Sequence, residues 1–95
     1  MITSATVVRR AKDVRHRLIK PEAVVIRQAV PEVLVLNDVA GEILDRLDGQ
    51  TAVGGIVDAL LPHFDVERVT LERDALRFVD EMLEAGILEV VGDGA

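Results

Sequence analysis

At 95 residues, 49% of them apolar, the chain can build one hydrophobic core and is too short for two. It contains no Cys, Trp or Tyr and only Phe64 and Phe78, which excludes disulfides, thiolate metal sites and cysteine nucleophiles and leaves little with which to stack unpaired bases. The net charge of −6 is uneven: residues 1–20 hold six basic side chains against Asp13 alone (+5), and the remainder holds five basic against sixteen acidic (−11), so the body of the protein repels phosphate.

Residues 1–13 carry weak structural signals and are expected to be a flexible basic segment that lies either on its own acidic body or on an external acidic partner. No apolar stretch follows Arg9, Arg10 and Lys12, so a secretory signal is not expected and the cytoplasm is the default location. Residues 14–19 alternate well enough for a first strand, ended at Lys20-Pro21-Glu22 because proline donates no ladder bond. Residues 23–29 form a second strand, Val30-Pro31-Glu32 a short reversal, and residues 33–37 a third strand returning antiparallel. At Asn37-Asp38 the hydrophobic period changes to helical spacing at Val39, Ile43, Leu44 and Leu47.

Asn37 or Asp38 is placed to cap this first helix, and Gly41 inside it marks a close approach of another backbone. Asp48-Gly49 ends it. Thr51 is placed to cap a second helix over 52–61 that Pro62 stops, and the apolar run from Ala52 to Pro62, interrupted by Asp58, falls far short of the ~20 residues that span a membrane. Thr70 is placed to cap a third helix ending near Ala85, with Leu71, Ala75, Phe78, Val79, Met82 and Leu83 at helical spacing. Gly86 stops it, residues 87–91 form a short last strand, and 92–95 read as a disordered tail. The expected domain is thus 14–91, an α+β fold in the order β-β-β-α-α-α-β, resembling a winged helix: a three-stranded antiparallel sheet, three helices and a C-terminal strand.

The sequence presents no catalytic set. His16 and His63 sit in different segments without ligand spacing, and both read as surface or loop residues. Gly54-Gly55 lacks the lysine and hydroxyl of a phosphate loop and reads as packing against the first helix or the sheet. No cofactor or metal is expected, and the chain does not read as an enzyme.

Two binding modes remain. A winged-helix DNA regulator would use the third helix for recognition, yet Glu72, Asp74, Asp80, Glu81 and Glu84 outnumber Arg73 and Arg77 there and oppose phosphate contacts. Alternatively, Val33, Leu34, Val35 and Leu36 form a sheet edge whose unpaired backbone groups accept an extended peptide, with Arg73 and Arg77 on the third helix meeting the peptide's charges. The strand is apolar on both faces, and the pattern alone equally allows helices to bury both.

The series Leu36-Asn37-x-x-Ala40-x-x-Ile43-Leu44-x-x-Leu47-Asp48-Gly49-x-Thr51, with Ile56-Val57, Leu60, Phe64-Asp65-Val66, Asp74, Phe78, Leu83 and Gly86-Ile87-Leu88, resembles the PqqD family. These are small peptide-binding chaperones of pyrroloquinoline quinone (PQQ) biosynthesis and of related ribosomally made, modified peptides. The likeness runs from about Arg15 to Val91 and rests on the combined Leu-Asn, Asp-Gly-x-Thr and Gly-Ile-Leu spacing. It implies that a precursor's leader peptide adds as a strand beside the third strand and against the third helix, for delivery to a radical S-adenosylmethionine or other modifying enzyme. The tight Val30-Pro31-Glu32 reversal and the basic start depart from the family pattern. An edge this apolar also invites a homodimer.

Overall fold

The computed structural model describes residues 2–19 and 21–93, the last by its backbone. Among the described residues ten elements follow one another: β1 (Thr6–Arg10), β2 (Val14–Ile19), β3 (Glu22–Arg27), β4 (Glu32–Leu36), α1 (Asp38–Arg46), β5 (Asp48–Ala52), α2 (Val53–Leu60), a 3-10 turn (Leu61–His63), α3 (Arg68–Glu84) and β6 (Leu88–Asp93). They build the expected α+β architecture, with α1 packed on a three-stranded antiparallel sheet in the order β2-β3-β4 and α2 and α3 packed on α1 and on each other. A second antiparallel sheet, in the order β5-β1-β6, was not foreseen.

The core strand of that second sheet is the main correction. Thr6–Arg10 lies within the segment expected to be flexible, yet it pairs with β5 on one side and β6 on the other, and Thr6, Val7 and Val8 are all buried. Three consecutive buried residues, both faces covered, leave no alternation for a period-based reading to find. Its partner β5, Asp-Gly-Gln-Thr-Ala, has little intrinsic strand preference and is a strand because β1 pairs with it. Gly92 and Asp93, expected in the tail, belong to β6 opposite Val7 and Thr6; Gly94, Ala95 and Lys20 of the first expected turn lie outside the described residues.

Local chemistry explains the helix ends. Asn37 caps α1 as expected, its Oδ1 accepting from the Ala40 N–H at 2.8 Å. The last carbonyls of α1 are met from outside the helix: Arg10 Nη1 donates to Leu44 O at 2.8 Å and Asp45 O at 3.2 Å. Thr51 does not cap α2. It lies in β5, where Asp48 Oδ1 accepts from Gln50 N at 2.9 Å, while the Gly54 N–H at the start of α2 donates to Ser4 O at 2.8 Å. Gly54 therefore packs against the N-terminal segment rather than the first helix or the sheet. Thr70 is likewise inside α3, whose N-cap is Glu67 with no side-chain bond.

At the far end of α3, Gly86 (φ +78°) follows the Ala85 cap, and Ile87 N donates to Met82 O at 2.9 Å while Gly86 N donates to Leu83 O at 3.1 Å. This Schellman pair buries Ile87 completely and turns the chain into β6. Arg27 reaches across from β3 and donates to Ala85 O at 2.7 Å, placing a cation on the negative end of the helix. Arg68 clips α2 to α3 through Asp58, at 2.8 Å, and Glu72; these hydrogen bonds, Asp58's first, raise its pKa above the ordinary guanidinium value.

The core lies between the helices and the inner faces of the sheets, with Val8, Val25, Ile43, Leu44, Leu47, Ile56, Leu60, Val79 and Ile87 at its centre. Helix α1 sits closest to the sheet, because a Cβ at Gly41 would stand 2.6 Å from Ala23 Cβ. His16, expected at the surface, points inward from β2 and is tied to α1 through Asp45 Oδ1 at 2.8 Å.

Candidate peptide-binding edge

Among the described residues strand β4 pairs with β3 alone, in the register Ala23 opposite Leu36, Val25 opposite Leu34 and Arg27 opposite Glu32. Its other side is a sheet edge, so alternate backbone N–H and C=O groups are available to another extended chain. The two faces also separate. Leu34 and Leu36 pack on the core, whereas Val33 and Val35 are 62% and 61% exposed. Helices therefore bury one face of β4 and leave the other open.

Where β4 ends, the chain turns at Asn37 into α1, and a groove of about 400 Å³ opens between α1 and α3. Val39 and Ile43 line it from α1, Leu71 and Phe78 from α3, and Val66 from the loop between α2 and α3. Asp74, Arg77 and Glu81 supply its polar groups. An apolar lining with a few charges suits one or two aliphatic or aromatic side chains of a peptide whose neighbours are charged.

The structure sorts the residues expected to bind. Arg77 lines the groove and makes no ion pair among the described residues. Arg73 does not line it; its side chain is 66% exposed and its nearest carboxylate is Asp74 at 4.0 Å. Helical geometry accounts for the difference. At about 100° per residue, Arg77, Phe78 and Glu81 fall within about 60° of Asp74, and Arg73 lies about 100° away. That spacing was legible in the sequence, but its direction was not, because α1 and Val66 complete the wall from distant segments. Among the described residues no group of three or more His, Asp or Glu is arranged to hold a metal ion, and no helix is long and apolar enough to cross a membrane.

Comparison with known proteins agrees with the fold. The profile of the family described as Coenzyme PQQ synthesis protein D (PqqD) matches residues 22–88. A PqqA binding protein of Gluconobacter oxydans (strain 621H) is 30% identical over 88 residues, covering 93% of this chain and 92% of the relative. A PqqA binding protein of Rhodopseudomonas palustris (strain ATCC BAA-98 / CGA009) is 32% identical over 60 residues, 63% of this chain and 59% of the relative. Among solved structures, TbiB1 in complex with the TbiA(beta) leader peptide superposes with a TM-score of 0.76 at 26% identity, covering 85% of this chain and 94% of TbiB1. Lasso peptide synthetase B1, complexed with the leader peptide, shares the fold at a TM-score of 0.75 and 24% identity, covering 86% of this chain and 96% of the neighbour.

Proposed function

This chain belongs to the PqqD family, and on that premise we propose that it is a non-catalytic peptide chaperone of the cytoplasm. It binds the leader of a ribosomally made precursor, of the PQQ type or related, and presents it to a modifying enzyme such as a radical S-adenosylmethionine enzyme. The observation that carries this reading is the open edge of β4 beside an apolar groove. Backbone bonds along residues 33–36 supply affinity that is indifferent to sequence, and the groove between α1 and α3 supplies selectivity. Arg77, flanked by Asp74 and Glu81, sets the register of charged peptide side chains, with Arg73 reached only by a peptide that overhangs the groove. The names of the relatives and the leader peptide bound to TbiB1 support this reading, and the DNA-regulator alternative draws nothing from them. A second copy pairing through β4 would use the same backbone groups, so self-association competes with the peptide.

Titrating a synthetic leader peptide into labelled protein and following amide shifts tests the proposal. The largest changes are expected at residues 33–36 and at Arg77 and Phe78. Val35→Pro, which removes an N–H from the edge strand, is expected to abolish binding while circular dichroism shows the fold retained. Undiminished binding by this folded variant, or shifts confined to β1, β5 and β6, would refute strand addition at β4.

A further inference from the structure

The outer face of the β2-β3-β4 sheet faces away from α1 and is apolar where a wetted antiparallel sheet would be polar. Cross-strand register aligns Arg15 with Ile26 and Val33, and Arg17 with Val24 and Val35, with Ile19 next along β2. Ile19 is 55% and Ile26 47% exposed, so with Val33 and Val35 they form a contiguous patch of the kind that marks an interaction surface. Arg15 and Arg17 border this patch, and neither makes an ion pair among the described residues; the Arg15 guanidinium donates only to the carbonyls of Lys12 and Val14. By contrast, Arg9, Arg27, Arg46, Arg68 and Arg73 each face a carboxylate within 4.0 Å. On a protein of net charge −6, the border of this patch is thus a place where positive charge is left uncompensated.

Two considerations select the occupant. Strands of about six residues, ~3.3 Å per residue and ~4.8 Å apart, give a footprint of roughly 250 Å², which suits the transient encounter of a delivery step and falls far below the ~800 Å² per partner of a stable dimer. Alternation places Arg15, Arg17 and one carboxylate, Glu22, on this face, so two copies stacked face to face would set net positive charge against its like. We propose that this face docks the modifying enzyme through an apolar strip on the enzyme bordered by carboxylates. The proposal rests on the strand-addition reading in one respect. A peptide added at β4 points alternate side chains to the same face and widens it from three strands to four, so the enzyme grips the loaded chaperone more tightly than the empty one.

The test uses the full chain, a synthetic leader peptide and the modifying enzyme encoded beside the precursor. Two variants probe the face: Arg15→Glu with Arg17→Glu, and Val24→Thr with Ile26→Thr. For both, leader affinity is expected to stay within about twofold, because no altered residue lies on β4 or in the groove. Enzyme affinity is expected to fall about tenfold or more, and the wild-type salt dependence to vanish in the charge-reversed variant. Unchanged enzyme affinity, or leader affinity falling in step with it, would overturn the docking surface. A concentration-dependent wild-type dimer that both variants convert to monomer would reassign the face to a second copy. If the wild-type protein fails to bind leader while both variants still lose the enzyme, strand addition falls and the docking surface stands.

Discussion

Replacing Gly41 by alanine sets two well-measured effects against each other. In an exposed helix the change is favourable by about 0.5–1 kcal/mol, because alanine loses less conformational freedom on folding. In α1 the new Cβ would stand 2.6 Å from Ala23 Cβ and 3.3 Å from Leu18 Cδ2, and Ala23 is fully buried on β3. Carbon atoms prefer about 3.5–4.0 Å, so the helix would have to lift from the sheet by about 1 Å. Overpacking of this kind costs about 1–3 kcal/mol, which exceeds the propensity gain and leaves the variant roughly 1–2 kcal/mol less stable. For a domain of this size that corresponds to a fall in Tm of about 5–15 °C, measurable by thermal and urea unfolding followed by circular dichroism. Removing the opposing atom, in Gly41→Ala with Ala23→Gly, should recover about 0.5 kcal/mol or more relative to the sum of the single effects. A Gly41→Ala protein as stable as the wild type, or strictly additive effects in the pair, would show that the 2.6 Å approach does not limit packing.

Other variants test the rest of the fold. Val8→Asp buries an unpaired carboxylate at a position with 0% exposure and should cost more than about 4 kcal/mol, seen as collapse of amide-shift dispersion; a flexible segment would tolerate it. Arg10→Ala removes the donor to the carbonyls that end α1 and should lower stability by about 1.5–3 kcal/mol in urea melts, with Arg10→Lys restoring only part because the lysine ammonium ends one bond short of the Nη1 position. Gly86→Ala forces a side chain into φ +78° against Arg27 Nη2 and should lose about 1–2 kcal/mol, with Gly86→Asn losing less; equal melting temperatures for the three proteins would contradict the Schellman geometry.

What the sequence made legible was whatever repeats locally. The three strands of the β2-β3-β4 sheet, the three helices, the Asn37 cap, the Gly86 stop and the tight approach at Gly41 all follow from period, capping chemistry or a missing side chain, and all are present. The second sheet was not legible. Its central strand β1 is buried on both faces and so has no period, and β5 is strand only by virtue of its neighbour. The misassigned Thr51 cap has the same origin, since Ser4 O serves the start of α2 from fifty residues upstream and makes Thr51 unnecessary. At the candidate site, an apolar third strand was evident, but which valines face outward depends on where α1 lands. Arg73 and Arg77 looked equivalent until the position of α1 against α3 admitted one and left the other outside.

The pairing of Thr6 with Asp93 also orders the folding of the protein in time. Sheet β2-β3-β4 is assembled from neighbours, each return closing a loop of a few residues, so it forms quickly. Strand β1 is made first and completed last, because its β6 partner lies more than seventy residues downstream and non-local pairing is slow. While the chain is being synthesised, Val7 and Val8 have no permanent cover, and the edge of β4 is presented before the fold around it is locked. The slow step is therefore the meeting of β1 with β6. A nascent chain held short of Leu88 would expose its apolar first strand to other chains, and aggregation of C-terminally truncated forms should begin there.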